Sequence, residues 1–311
     1  MIKPSQFNPS AAPTNAGYFY NDELKRAIRV ALATERPLLL RGAPGTGKTT
    51  MARDFARILT HGDGASSADY YQEVVTSRTE ARDLQWRFDA ILRLAEAQVP
   101  ATRDRVAAPA NYVEPRALWW AFDPESAVLR GGGADTQAID PLADGKDTKS
   151  DKTRPAIVLI DEIDKAEPEV ANDLLEPFDV KSFRVAETGR KVECARDVFL
   201  VVTTNDERDL PAAFLRRCVV HEFVRPGKEQ LLKIAHSHLK TTNDDKEVLD
   251  MIERIDTLAK EAIAQRLREP GIAEFLDALR AVRELKPADK AEWEAISRLA
   301  MWKHPTWKGS E

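Results

Sequence analysis

The chain has 311 residues, 43% of them hydrophobic and 31% charged, with a formal net charge of -5. That length suits one large domain plus a small one, and the charge balance gives a nucleic-acid partner no electrostatic support. Cys194 and Cys218 lack the paired spacing of a zinc site or disulfide framework, and no apolar run is long enough to span a bilayer.

The first 20 residues read as a proline-rich N-terminal arm without the basic start and apolar stretch of a signal peptide, so a cytoplasmic protein is expected. Asn21 and Asp22 can cap a helix through Glu23 to Val30. Pro37 precedes the apolar run Leu38-Leu39-Leu40, a strand, and Thr49 to Leu59 reads as a helix with Met51, Phe55 and Ile58 on one face. Tyr70 to Thr76 is a second strand candidate, and Thr79 to Ala97 reads as one long helix carrying Arg78, Arg82, Arg87 and Arg93 at or along it. Trp119-Trp120 is read as core packing rather than a substrate clamp. Residues 131-154 are glycine-rich, then rich in lysine and aspartate, and read as a surface loop. Ile157 to Ile160 and Val198 to Val202 are continuous apolar runs, the pattern of strands buried on both faces. Strands alternating with helices predict a parallel sheet wrapped by helices. Beyond Arg225-Pro226-Gly227 the periodicity is helical, so residues 226-311 are expected to form a small all-α domain after an α/β domain over 21-225.

Between the first strand and the following helix stand Gly42, Ala43, Pro44, Gly45, Thr46, Gly47, Lys48 and Thr49, with Thr50 behind them. They fit G-x-x-x-x-G-K-[ST]. Glycines let backbone N–H groups turn inward around phosphate oxygens, and the helix behind points its positive end the same way. Lys48 would reach the β- and γ-phosphates, and the Thr49 hydroxyl would ligate Mg²⁺. The strand at 157-160 ends in Asp161 and Glu162, carboxylates suited to holding Mg²⁺ and to activating an attacking water, respectively. The strand at 198-202 runs into Thr203-Thr204-Asn205, and Asn205 is suited to the γ-phosphate or the water; by itself that stretch also fits a turn.

Taken in order, the glycine loop, the Asp-Glu strand, the Thr-Asn strand and Phe214-Leu215-Arg216-Arg217-Cys218 resemble the AAA+ ATPase superfamily. The resemblance implies a P-loop α/β fold with a parallel sheet flanked by helices and an all-α lid, ATP and Mg²⁺ as ligands, and a hexameric ring. It assigns Arg217 as the arginine that reaches a neighbouring subunit's nucleotide, with Arg216 as second choice. Within the superfamily the chain is similar to MoxR-type ATPases. An insertion is expected near 85-116, before Ala117 to Phe122, and a hairpin near 181-195 around Glu187-Thr188-Gly189-Arg190. The family's lid arginine has no clean match: Arg266, Arg268 and Arg280 lie near Glu269-Pro270-Gly271, and none is assigned.

The function expected from this resemblance is ATP hydrolysis coupled to remodelling or activation of a protein client, often a partner with a von Willebrand factor A domain. An alternative is the motor subunit of a nucleic-acid-targeting complex, which stimulation of hydrolysis by nucleic acid would distinguish. A third is a nucleotide switch that holds an assembly together without turnover. No membrane association is expected.

Overall fold

The computed structural model describes residues 1-7, 9, 18-59, 68-132, 136, 154-239 and 245-303. Most of the loop expected over 131-154 lies outside the described residues, as does much of the N-terminal arm. The described chain falls into two units, one drawn from 1-11, 21-41 and 51-221, the other from 12-20, 42-50 and 222-311.

The first unit starts at α1 (Asp22–Thr34), where the Asn21 side chain accepts from the Leu24 N–H at 2.8 Å and satisfies one of the orphan amides of the first turn. Glu35 ends the helix in the left-handed region, φ 55°, and β1 (Leu38–Arg41) follows. Then come α2 (Lys48–Ile58), β2 (Asp69–Val74), β3 (Trp86–Phe88), α3 (Ala90–Ala97), α4 (Arg103–Ala107), β4 (Val113–Pro115), α5 (Ala117–Phe122) and α6 (Pro124–Val128). The remainder is β5 (Ala156–Asp161), α7 (Pro168–Val180), β6 (Ser182–Arg184), β7 (Lys191–Glu193), β8 (Val198–Thr204), α8 (Ala212–Arg217) and β9 (Val219–Glu222), whose last residue crosses into the second unit.

Five strands form one sheet in the order β2-β5-β8-β1-β9, and the pairs β2–β5, β5–β8 and β1–β8 are parallel. All six residues of β5 are buried, as expected of a central parallel strand covered on both faces. Each aliphatic side chain buried there contributes roughly 1.5–3 kcal/mol relative to exposure. Register fixes the edge that matters. Val74 pairs with Asp161, Ile160 with Val202, and Arg41 with Thr204, so the carboxyl ends of four strands share one edge of the sheet.

The expected helix over 79-97 is not continuous. Trp86–Phe88 instead pairs antiparallel with Val113–Pro115, and Asp89 starts a fresh helix by accepting from the Leu92 N–H at 2.7 Å. A three-residue strand defined by a partner some 27 positions away (Trp86↔Pro115 to Phe88↔Val113) leaves no local periodicity. Arg87 therefore sits on β3, not on a shared helix face with Arg93, whose guanidinium stacks on Phe88. Residues 86-115 form a closed excursion from the unit, and α3 within it buries none of its side chains. Trp86 stacks on Phe183 of β6 with ring centroids 5.8 Å apart and 7° between planes, and its indole N–H donates to Glu187 at 2.8 Å. Trp119 and Trp120 are core residues, as read: the first donates to Ser126 Oγ at 2.9 Å, the second to the Pro115 carbonyl at 3.2 Å.

A buried arginine binds this region together. Arg196 donates to the Ala121 and Trp120 carbonyls, pairs with Asp69 and reaches the Tyr71 hydroxyl. A charge this deep persists because nearly every donor is satisfied.

The second unit is built on α9 (Lys228–Leu239), α10 (Lys246–Ala264), α11 (Ile272–Leu285) and α12 (Lys290–Met301) around a core that includes Met251, Ile255, Phe275 and Leu279. It also contains the glycine loop, residues 42-50. No helix among the described residues is long and apolar enough to cross a membrane.

Candidate functional site

The glycine loop follows Arg41 and ends in the first turn of α2, which begins at Lys48. Gly42 has φ 141°, and a Cβ there would lie 2.8 Å from the Phe223 carbonyl oxygen, so both backbone angle and close approach require glycine. Gly45, at φ 79°, is hemmed in by Glu274 and Arg268. Lys48 is only 6% exposed, and its ammonium donates to the Gly42 carbonyl at 2.5 Å and the Ala43 carbonyl at 3.0 Å. Thr46 Oγ1 donates to the Ala43 carbonyl at 2.9 Å. Thr49 is half-buried and Thr50 exposed on the first turn of α2.

The same unit brings a residue to the loop that the sequence left unassigned. Arg268 donates through one Nη2 to the Pro44 carbonyl and to Glu274, each at 2.8 Å. The Ala273 N–H donates to the Gly45 carbonyl at 3.3 Å, and Glu274 accepts from the Gly271 N–H at 3.1 Å. The loop is thus held by the turn that opens α11, with an arginine among its contacts.

The carboxylates stand in the first unit. Asp161, the last residue of β5 and 9% exposed, accepts from the Thr203 hydroxyl and from the Gln72 amide at 3.1 Å. The same Thr203 oxygen accepts from the Glu162 N–H at 2.9 Å. Glu162 itself is left-handed, φ 61°, an uncommon conformation for a residue without glycine's freedom and one that re-aims the chain at the strand end. Its carboxylate accepts from the Asn205 amide at 3.1 Å and pairs with Lys165 at 2.5 Å. That hydrogen bond raises the Lys165 pKa above the ordinary lysine value. Asp164, 2% exposed, accepts from the backbone N–H of Asn205 and of Glu207, at 3.2 and 2.9 Å. Asp161, Glu162 and Asn205 are therefore brought together, with Thr203, Asp164 and Lys165 as members that sequence reasoning missed. Thr203 had a signal, its place two residues before Asn205; Asp164 and Lys165 had only their place after Glu162.

Arg217 is elsewhere in that unit. It is the last residue of α8, its side chain is 55% exposed, and it pairs with Asp179 at 3.5 Å. Two residues later the Val219 N–H bonds the Pro37 carbonyl, at the amino end of β1, whereas Glu162 follows the carboxyl end of β5. The sheet separates the two edges by roughly 20 Å, the length of a seven-residue strand such as β8.

Among the described residues no cluster of three or more His, Cys, Asp or Glu forms a self-contained metal site. Thr49 and Asp161 are hard oxygen donors of the kind Mg²⁺ accepts when nucleotide phosphates complete its shell.

No curated protein matches the sequence. Among solved structures, the chain is similar to a Thermotoga maritima RuvB mutant, at 15% identity over 92% of this chain and 72% of that one, with a TM-score of 0.45. The sequence profile of the AAA domain (dynein-related subfamily) matches residues 37-218, a span from the residue before β1 to the residue after Arg217 that takes in the glycine loop and the Asp161–Asn205 cluster. The chain belongs to this AAA family, within the AAA+ ATPases.

Proposed function

We propose that the chain is a MoxR-type AAA+ ATPase that hydrolyses ATP with Mg²⁺ in a ring and uses the turnover to remodel or activate a partner protein. The observation that carries the hydrolytic part is the Glu162 carboxylate, held by Asn205 beside the Asp161–Thr203 pair at the end of a buried strand. Glu162 would take the proton from a water as its oxygen attacks the γ-phosphorus, and ADP would leave as the P–O bond breaks. For this it must release Lys165. Asn205 orients the carboxylate, and Lys48 exchanges its two loop carbonyls for phosphate oxygens. Mg²⁺, taken by Thr49 and Asp161, would neutralise phosphate charge. Arg268 is placed to add a second cation at the loop. Arg217, at the opposite sheet edge from its own Glu162, would serve the next subunit.

The MoxR assignment is supported by the excursion over 86-115 and the β6–β7 hairpin. The excursion exposes Ile91 at 83% and Leu94 at 67%, an apolar face suited to a protein client, such as a partner with a von Willebrand factor A domain. Glu162→Gln should retain ATP binding and lose about 10²-fold in turnover, the scale expected for a general base. Steady-state ATPase assays with parallel nucleotide titrations check this; unchanged turnover would place the base elsewhere.

A further inference from the structure

The first unit contains a cavity of about 440 Å³ at the amino ends of β1 and β8, lined there by Pro37 and Val198. Its charged lining is uneven. Arg217 and Asp179 pair with each other on the rim. Arg36, Lys181 and Arg216 also line it, are exposed, and form no ion pair among the described residues. They come from three separate places: the turn between α1 and β1, the left-handed residue that ends α7, and the last turn of α8. Glu35 is the one lining carboxylate besides Asp179 and Asp197, and Asp197 is occupied by the chain's amino group.

Three unpartnered cations around one recess repel each other, and a polyanion entering it would relieve that repulsion. The chain's own carboxylate cluster lies at the far edge of the sheet, and among the described residues no acid pairs with these three cations, which leaves the recess open to an anion from another subunit. The proposed function supplies one, and this inference rests on that reading. We infer that the cavity receives the terminal phosphates of a nucleotide held by a second copy of the chain, with Arg36 and Lys181 acting as further trans cations beside Arg217. Asp179 holds the Arg217 guanidinium in the isolated subunit and yields it when the triphosphate arrives. Three cations, Arg36, Lys181 and Arg217, then face the transferring phosphoryl group and the leaving ADP oxygen, where negative charge develops.

The test uses the full chain with Arg36→Gln, Lys181→Gln and the double variant. Glutamine removes the charge and keeps a polar side chain, and at Lys181 it meets the same left-handed backbone, φ 53°. Each substitution should lower kcat about 10-fold with KM and ATP affinity nearly unchanged, the pattern of a group that acts on developing charge. Lys181→Arg should restore most of the rate. In mixtures, Lys181→Gln subunits should be rescued by Lys48→Ala subunits, which keep the cavity intact. A double variant with wild-type kcat overturns the inference, as does a loss that Lys181→Arg fails to restore. Arg217→Ala, assayed alongside, keeps the two readings apart. If Arg217→Ala is inactive and the double variant is not, only this inference falls. If Arg217→Ala turns over normally, or the wild-type chain does not turn over at all, the ring-ATPase reading falls and takes the inference with it.

Discussion

The two edges of the same sheet are built differently. At the carboxyl edge, Asp161, Glu162, Asp164 and Asn205 are bonded to one another, to Thr203 and to Lys165, and two of the acids are nearly buried. At the amino edge, Arg36, Lys181, Arg216 and Arg217 are exposed, and one loose pair to Asp179 is their only ionic contact among the described residues. The first edge has its geometry set before any ligand arrives. The second carries exposed cations, of which only Arg217 has an ionic partner among the described residues. A centre that needs both can be pre-organised on one side and dependent on assembly on the other.

The strongest way to break this comparison is at the cationic edge. Arg217→Ala should cut turnover about 10³-fold, as removal of a trans arginine does elsewhere, without weakening ATP binding to one subunit. Mixing it with Lys48→Ala, each inactive alone, should recover part of the activity, because some interfaces then join an intact loop to an intact arginine. Coupled-assay rates across mixing ratios decide the matter; a flat, inactive series in rings shown to be mixed would put the arginine in cis.

Two aspartates sharpen the contrast further. Asp164→Ala leaves the Asn205 and Glu207 amides without this acceptor in a part-buried setting, at a cost of about 1 kcal/mol. Denaturant unfolding should show the loss, with a fall in kcat as Asn205 shifts. Asp179→Asn, by contrast, breaks a pair whose partners are both more than half exposed, and should change stability by less than about 1 kcal/mol. Equal losses at the two positions would erase the distinction between the edges.

The parts of the glycine loop and of the carboxylate cluster that could be read from the sequence are those carried by contiguous residues. The glycine loop, Asp161-Glu162 and Thr203-Thr204-Asn205 each sit at the end of an apolar run, and the run announces the strand. Arg268 was not legible, because its contact with Pro44 spans 224 positions and the stretch before α11 has no pattern of its own. Lys165 was hidden for a different reason: its role depends on which way Glu162 turns, and the left-handed backbone at Glu162 is not written in side-chain periodicity. The helix expected over 79-97 failed because β3 exists only through β4. A strand of three residues takes its conformation from its partner, and local propensity yields to that pairing.

The excursion over 86-115 leaves and returns at one place, where Trp86 lies directly across the ladder from Pro115. Its two ends are fixed by the ladder and by α5, which Arg196 holds from behind. What lies between is constrained mainly at its base. Lengthening a closed loop costs only about 0.6 kcal/mol per doubling, so this stretch can be exchanged as a cassette with little penalty to the engine beneath it. A chain of this design can acquire a new surface by replacing some thirty residues, and the carboxylate edge on the other strands need not change at all.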